Sequence, residues 1–241
     1  MTPEKTPEKS PKKKTPQKAK GVYIQGLTKS YGDLEALHSV SLTVEEGEQV
    51  ALLGLNGSGK TTLLRIAAGL LEATKGQVVL AGHAAGSLAA RAAVSYIPDN
   101  PVLYDDLSVE EHLEYVARLH AKRDWEPYAA ELVTRLGLVN RVEDLPSTFS
   151  RGLRQKVSIA LAFVRPFEVL LVDEPFVGLD VPGRQTLLEL LDEAAANGAA
   201  VLVSTHQVEY VSRASRCIGL RDGKLIYDGK PTDEAKAEIL R

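Results

Sequence analysis

The sequence has very little cysteine, since Cys217 is the only one among 241 residues. A single thiol excludes an internal disulfide and a metal site built from several thiolates, and it is typical of a reducing compartment. Aromatic residues are also scarce, at 5% of the chain, although the hydrophobic fraction reaches 44%. A chain of this length and composition can bury a substantial core, so we expect one globular domain with a smaller subdomain attached.

Long apolar runs are missing too. The best candidates, residues 169–172 and 199–203, have the length of strands, far short of the roughly 18 to 20 residues that cross a bilayer. The positive charge at the N-terminus imitates the start of a signal peptide, but no apolar segment follows it. We therefore predict a cytoplasmic protein whose membrane role, if it has one, requires a partner.

Charge is divided unevenly along the chain. The formal net charge is −3, yet residues 1–20 contain seven Lys and two Glu, which leaves −8 on residues 21–241. The first twenty residues repeat Thr-Pro-Glu-Lys and have almost no apolar side chains, so we predict a disordered Lys/Pro-rich tail. Two interpretations of this tail stay open, a simple solvated segment or a polybasic anchor for anionic lipid or nucleic acid.

The apolar pattern of residues 21–241 changes twice along the chain. Residues 22–52 alternate in short stretches broken by turn residues, which predicts antiparallel strands. A strand at 49–53 then leads into a glycine loop, and residues 61–71 have the apolar spacing of a helix. The resulting order is strand, loop, helix.

The middle of this region, about residues 105–165, is predicted to form a helical subdomain. Ser108 and Glu111 form a capping box at the start of one helix, and a second helix runs from 128 to 136. Continuous apolar runs at 169–172 and 200–203 then indicate buried parallel strands, and Asp222-Gly223 predicts a hairpin. The predicted fold class is α/β: a P-loop core with a mostly parallel sheet, an N-terminal antiparallel β subdomain and a helical subdomain.

A phosphate-binding loop is the strongest chemical signal. Residues 54–61 read Gly-Leu-Asn-Gly-Ser-Gly-Lys-Thr between a buried strand and a helix, the context in which such a loop cradles phosphates through backbone N–H groups and the helix N-terminus. Lys60 is predicted to meet the β- and γ-phosphates and to act in catalysis, and Thr61 to bind Mg²⁺. The predicted nucleotide-binding residues of this loop are Gly54, Asn56, Gly57, Ser58, Gly59, Lys60, Thr61 and Thr62.

Two acidic residues, Asp173 and Glu174, directly follow the apolar run 169–172. A strand that ends in two carboxylates places them at the edge of the sheet. We predict that Asp173 holds Mg²⁺ through water and that Glu174 orients or deprotonates the attacking water, a role worth roughly 10²- to 10⁴-fold in rate. Taken alone, adjacent acids after a strand are more often a helix cap, but the phosphate-binding loop favours catalysis.

Residues 149–156, Phe-Ser-Arg-Gly-Leu-Arg-Gln-Lys, resemble the signature segment of ABC transporter ATPase subunits. The resemblance covers about residues 21–230. It also includes Gly178-Leu179-Asp180 as the D-loop, His206 as the switch histidine and Tyr31 as the aromatic that stacks on adenine. Without the resemblance, Tyr31 could equally be a core aromatic and His206 a cap at the end of a strand.

The resemblance implies a head-to-tail dimer of ATPase domains with two ATP molecules sandwiched between them. The signature segment of one subunit, through Ser150 and the Gly152 backbone, would contact the nucleotide held by the other. Asp180 would reach across the interface, and His206 would contact the γ-phosphate. Stacking on Tyr31 would contribute on the order of 1 kcal/mol.

Three residues depart from the family pattern. Asp99 stands where the family usually has Gln, Arg151 replaces the first glycine of the signature, and Leu153 replaces its glutamine. The hypothesis for Asp99 is a third Mg²⁺ ligand, although its carboxylate adds negative charge near the phosphates. Arg151 either adds charge near the phosphate contact or points to solvent.

The predicted function is the ATP-hydrolysing subunit of a membrane ABC transporter, similar to drug or antibiotic exporters, with ATP and Mg²⁺ as cofactors. Its predicted partners are a separate transmembrane permease subunit and a second ATPase subunit, and no nucleic acid is expected. The protein would lie on the cytoplasmic face of the membrane. Residues 101–107 are the predicted permease contact, with packing of this loop on its own domain as the alternative.

The sequence leaves two other classes of function as alternatives. A soluble ABC ATPase acting on DNA or ribosomes is disfavoured, because Lys60 and Ser150 are only 90 residues apart with no sustained heptads between them, and the chain has one ATPase domain. A regulatory nucleotide-binding module with little turnover is supported only by the altered signature. Glu174 and His206 argue against it.

Overall fold

The computed structural model describes residues 20–241, which form two β-sheets and eight α-helices. The predicted disordered tail, residues 1–20, lies outside the described residues except for Lys20. The Lys20 ammonium group is exposed and lies 3.6 Å from the Glu46 carboxylate.

The N-terminal sheet is antiparallel. Its strands are β1 (Gly21–Tyr31), β2 (Leu34–Glu45), β4 (Lys75–Leu80) and β5 (His83–Ala84), in the spatial order β2-β1-β4-β5. Alternate residues of β1, such as Val22 and Ile24, are buried, as expected for a sheet with one face on the core. Strands β1 and β2 are longer than the apolar stretches predicted, because they continue as a hairpin in which Tyr31 pairs with Leu34.

The central sheet is mostly parallel. Its strands are β3 (Gln49–Leu53), β6 (Val94–Ile97), β7 (Val169–Asp173), β8 (Ala200–Ser204), β9 (Arg216–Arg221) and β10 (Lys224–Gly229), in the spatial order β10-β9-β3-β8-β7-β6. Only β10 pairs antiparallel in this sheet as described, through the hairpin predicted at Asp222-Gly223. Both turn residues have positive φ, 47° and 70°, as a type I′ turn requires. The α/β fold class and the hairpin are confirmed.

The α-helices pack around the central sheet. They are α1 (Lys60–Ala67), α2 (Leu88–Ala93), α3 (Val109–Leu119), α4 (Glu126–Arg135), α5 (Arg151–Phe163), α6 (Val181–Ala196), α7 (Val208–Arg213) and α8 (Asp233–Ile239). The capping box of α3 is confirmed, since the Ser108 hydroxyl accepts from the Glu111 N–H and the Glu111 carboxylate accepts from the Ser108 N–H. Helix α1 ends before the predicted residue 71, because Gly69 takes a left-handed φ of 74°, a conformation in which helices often end.

The inner strands of the central sheet, β3, β7 and β8, are buried on both faces. In β3, Ala51 and Leu53 join the core beneath α3 to α6, whereas Val50 and Leu52 join the core shared with α1 and the N-terminal sheet. Strands buried on both sides read as continuous apolar runs, which is the pattern the sequence shows. Because β3, β7 and β8 are parallel neighbours, their carboxyl ends meet at one edge of the sheet, where open α/β sheets place their ligands.

Within residues 20–241, no helix combines the length and the apolar character needed to cross a bilayer.

Candidate active site

The phosphate-binding loop connects β3 to α1. Gly59 precedes the first residue of α1 with φ of 103°, and a Cβ on it would lie 2.8 Å from the Ala36 carbonyl oxygen, so this position requires glycine both for its conformation and for space. The loop is braced from outside, because the Gly223 N–H donates to the Ser58 carbonyl at 3.1 Å. The loop is therefore held in shape by the β9–β10 turn and by β2.

Lys60 is the first residue of α1 and is 6% exposed. Its ammonium group donates to the carbonyl oxygens of Gly54, at 2.8 Å, and Leu55, at 3.2 Å. It also lies 3.8 Å from the Glu174 carboxylate. A buried positive charge thus lies beside the backbone N–H groups of the loop, and this combination favours the binding of a phosphate.

Asp173, the last residue of β7, is fully buried. Its Oδ1 accepts a 2.5 Å hydrogen bond from the Ser204 hydroxyl, whereas Oδ2 is buried with no hydrogen-bond partner among residues 20–241. Leaving such an oxygen unpaired costs free energy, so the site suits a cation or a donor from outside the chain. Asp173 and Thr61 line the same cavity, of about 870 Å³.

Glu174 has a left-handed backbone, with φ of 43°, a conformation that costs free energy in a residue with a side chain. Its N–H donates to both the carbonyl and the hydroxyl oxygen of Ser204, at 3.0 and 3.1 Å, which holds it in place. The carboxylate accepts from the His206 ring at 3.0 Å. Neither acid caps the following helix, because the N-cap of α6 is Asp180.

His206 follows β8, and its side chain is 55% exposed. Because a carboxylate only accepts, Nδ1 is the donor in the bond to Glu174, and a neutral ring then leaves Nε2 as an acceptor. Donation from Nε2 to a phosphate oxygen therefore requires the charged ring. The ring contacts Glu174 directly, and the role of His206 as the switch histidine stays a prediction.

Tyr31 ends β1 and is 49% exposed, so the alternative of a core aromatic is wrong. The Lys29 ammonium group lies 4.9 Å from the centroid of the Tyr31 ring, within the range of a cation–π contact. The ring is accessible to a planar ligand.

The signature segment begins α5 and packs against the D-loop of the same chain. The Ser150 hydroxyl caps α5 by accepting from the Leu153 N–H at 3.3 Å. A Cβ on Gly152 would lie 2.2 Å from the Gly178 carbonyl oxygen, so the close approach of α5 to the D-loop requires glycine there. The predicted contacts of Ser150 and Gly152 with a second subunit stay predictions.

Lys156 is a residue of this site to which the sequence assigned no role. It is 8% exposed, and its ammonium group lies 2.9 and 3.0 Å from the two carboxylate oxygens of Asp180. Hydrogen bonding to Lys156 holds the pKa of Asp180 below its ordinary value. Asp180 also accepts from the Gly183 N–H, so within the monomer it is engaged in its own chain.

Asp99 and Arg151, two of the departures from the family pattern, contact each other. The guanidinium group of Arg151 lies 2.7 Å from one carboxylate oxygen of Asp99, and the Asn100 side chain donates to the other at 2.9 Å. Arg151 therefore forms an ion pair with Asp99, an arrangement that the sequence did not suggest. Asp99 lines the same cavity as Thr61 and Asp173.

Ser204 is the second residue that the sequence analysis missed. It pairs in register with Asp173 across β7 and β8 and hydrogen-bonds to both Asp173 and Glu174. The signal was available, because polar residues Ser204 and Thr205 follow an apolar run just as Asp173 and Glu174 do. Only the pairing of β7 with β8 in the folded chain shows that Ser204 lies beside Asp173.

The fold and the site together define a P-loop ATPase. The model of the ABC transporter family matches residues 37–177. The peptide export ATP-binding protein SkfE of Bacillus subtilis is 36% identical over 208 residues, covering 85% of this chain and 87% of that protein. The phosphonates import ATP-binding protein PhnC of Frankia casuarinae is 37% identical over 242 residues, covering 91% and 96%. The chain belongs to the ABC transporter family, as one of its ATP-binding domains.

Two solved structures support the same family assignment. The ATP-binding subunit of an ABC transporter superposes with a TM-score of 0.84 at 33% identity, covering 90% of this chain and 92% of that one. A dimeric ATP-binding cassette in a post-hydrolysis state, bound to ADP and Pi, has a TM-score of 0.77 at 26% identity, covering 88% and 99%. The prediction of an ATP-binding and ATP-hydrolysing ABC subunit is confirmed, and the dimeric neighbour supports a dimer.

Proposed function

We propose that Glu174 is the catalytic base of ATP hydrolysis. One observation carries this proposal: the Glu174 carboxylate lies between Lys60, at 3.8 Å, and His206, at 3.0 Å, at the mouth of the phosphate-binding loop. Lys60 would bind the β- and γ-phosphates. The charged ring of His206 would donate to the γ-phosphate, and Glu174 would accept a proton from the attacking water.

Mg²⁺ fits this site as a cofactor. The unpartnered oxygen of Asp173 and the hydroxyl of Thr61, an exposed residue, are hard oxygen donors, which is the ligand chemistry that Mg²⁺ prefers. When bound, Mg²⁺ neutralises charge on the phosphate oxygens. Ser204 would keep the Asp173 carboxylate in one orientation for this purpose.

A second ATPase subunit would complete each ATP-binding site. Tyr31 is accessible for adenine, while Ser150 is exposed and Gly152 half-buried at the start of α5, where they can face the nucleotide of a partner. Asp180 is 57% exposed despite its pair with Lys156, so it too can meet a second subunit. This arrangement implies slow hydrolysis by the isolated monomer.

A separate transmembrane permease would dock at the loop that joins β6 to α3. Val102 and Tyr104 of this loop are 90% and 55% exposed, and Leu119 at the end of α3 is 65% exposed. Val102 and Leu119 line the cavity of about 870 Å³. Pro101 of the same loop is buried, so the loop packs on its own domain while presenting apolar side chains outward. An apolar patch at a cleft is typical of a protein contact.

The direction of transport is proposed to be export. The names of similar proteins point both ways, since SkfE is a peptide export protein and PhnC a phosphonates import protein. A third relative, the linearmycin resistance protein LnrL of Bacillus subtilis, is 30% identical over 87% of this chain and 69% of that protein. The ATPase would then lie on the cytoplasmic face of the membrane.

Affinity purification from native membranes tests the permease proposal. We expect the tagged chain to recover a multi-span membrane protein, and Val102→Asp to reduce that recovery by roughly tenfold or more, because a charge would be buried at the contact. Val139→Asp is the matched control, at a valine that is 52% exposed on the helical subdomain. Recovery of ribosomes or DNA in place of a membrane protein would instead favour a soluble ABC ATPase.

A further inference from the structure

Asp99 and Arg151 are 52 residues apart in the sequence and form an ion pair between the loop after β6 and the first residue of α5. Both carboxylate oxygens of Asp99 are engaged, one by Arg151 and the other by Asn100. In contrast, Asp173 has a buried oxygen without a partner in the described chain. Of the two carboxylates in this cavity, Asp173 is thus the one with an oxygen that accepts no hydrogen bond from the described residues.

The position of Arg151 explains why an acidic partner is useful there. Arg151 is the first residue of α5, and the first turn of this helix contains no acidic residue. The positive end of the helix dipole disfavours a cation at this position. The Asp99 carboxylate, 2.7 Å from the guanidinium group, supplies the missing negative charge.

A second contact joins the same loop to the same turn of helix. The Arg154 guanidinium group donates to the Pro101 carbonyl at 3.2 Å. Residues three apart lie on one face of a helix, so Arg151 and Arg154 together hold the segment 99–101 against α5. Ser150 and Gly152 lie in the turn that this contact fixes.

We propose that Asp99 is a positioning residue that acts through Arg151 and that it is not a Mg²⁺ ligand. The pair fixes the first turn of α5, and with it Ser150 and Gly152, relative to the loop that carries the exposed Val102. This inference rests on the proposed function, in which Ser150 and Gly152 meet the nucleotide of a second subunit. Its consequence is that loss of the pair weakens ATP-dependent dimerisation and leaves metal affinity unchanged.

A double-mutant cycle in the Glu174→Gln background tests the pair. The variants are Asp99→Asn, Arg151→Gln and the combination of both, with Asp106→Asn as a matched control at an exposed carboxylate of the same loop. Analytical ultracentrifugation gives the ATP concentration at half-maximal dimerisation, and Mn²⁺ titration with ATP, followed by electron paramagnetic resonance, gives metal affinity. Loss of a partly exposed ion pair changes an equilibrium constant by a factor of about two to five.

We expect each single variant to raise the half-maximal ATP concentration by about two- to fivefold. The double variant should be no worse than either single one, because one interaction is lost in all three. Arg151→Lys, which keeps the positive charge, should raise the half-maximal ATP concentration less than Arg151→Gln does. Mn²⁺ affinity should not change in any variant.

Four results would overturn the proposal. A loss of Mn²⁺ affinity of about tenfold or more in Asp99→Asn, but not in Arg151→Gln, would make Asp99 a metal ligand. Effects that multiply in the double variant, or dimerisation unaffected by every variant, would show that the two residues do not act as a pair. A Glu174→Gln protein that fails to dimerise with ATP would refute the proposed function itself, and this inference with it.

Discussion

Ser204 connects the Asp173 carboxylate to the Glu174 backbone, because its hydroxyl donates to Asp173 and accepts from the Glu174 N–H. It is fully buried, so removing it leaves a buried acceptor and a strained residue with fewer partners. A hydroxyl that serves two functional residues at once should influence both stability and catalysis.

We predict that Ser204→Ala lowers the free energy of unfolding by about 1–3 kcal/mol, the usual cost of an unsatisfied buried group, and lowers kcat as well. Urea denaturation and steady-state ATPase assays measure the two effects. Ser95→Ala is the matched control, because Ser95 is a buried strand serine that donates to the Ala162 carbonyl at 2.8 Å. If both variants lowered kcat alike, Ser204 would have no specific role at the carboxylates.

Glu174 offers the most direct test of catalysis at the residue scale. We predict that Glu174→Gln reduces kcat by roughly 10²-fold or more, because an amide cannot take a proton from water, while ATP still binds and traps the dimer. Single-turnover hydrolysis and size-exclusion chromatography with ATP measure these outcomes. Glu168→Gln, beyond the opposite end of β7, is the control, and an unaltered turnover rate in Glu174→Gln would rule out the catalytic base.

At the scale of elements, α5 and α6 meet through one buried ammonium group. Lys156 extends from α5 to Asp180 at the N-terminus of α6, and Gly152 brings α5 against the D-loop that leads into α6. The start of α5 and the segment that leads into α6 are therefore in direct contact within the chain. Breaking the pair leaves Lys156 buried without its counter-charge.

The Lys156–Asp180 pair makes the stability of this junction pH-dependent. Because Lys156 holds the pKa of Asp180 below its value in the unfolded chain, the pair stabilises the fold above the ordinary Asp pKa of about 4. This contribution is lost as the pH falls through the lowered pKa of the folded protein.

We predict that Asp180→Asn lowers the free energy of unfolding at pH 7 and that its difference from the unmodified chain shrinks below about pH 4. Urea denaturation across this pH range measures the difference, and Asp105→Asn, at an exposed loop residue, is the control. A difference that stays constant with pH would mean that the Asp180 charge contributes nothing.

At the scale of the whole molecule, nucleotide binding should stabilise the folded chain. A ligand at 100 times its Kd adds about 2.7 kcal/mol, which corresponds to a rise in Tm of roughly 5–10 °C for a domain of this size. We predict this rise with ATP for the Glu174→Gln protein and its absence when Lys60→Ala is added. Lys75→Ala, at an exposed lysine of β4, should keep the full shift in calorimetry, and a shift retained by Lys60→Ala would contradict the role of Lys60.

Much of the fold followed from local patterns. Continuous apolar runs marked the buried strands β7 and β8, the capping box marked α3, and Asp222-Gly223 marked the hairpin, because each of these signals depends on neighbours along the chain. Helix α2 and the full lengths of β1 and β2 were missed. Their bounds depend on pairing and packing with distant segments, which override weak local preference.

The sequence by itself determined the phosphate-binding loop, the acidic pair Asp173 and Glu174, and the family, because these depend on the order of residue types in short segments. Only the tertiary structure decided which groups they meet. Ser204 reaches Asp173 through the register of two parallel strands, and Lys156 reaches Asp180 across a junction of helices. The Asp99–Arg151 pair likewise joins residues that local sequence cannot bring together, since charges interact through space and the fold alone sets their distances.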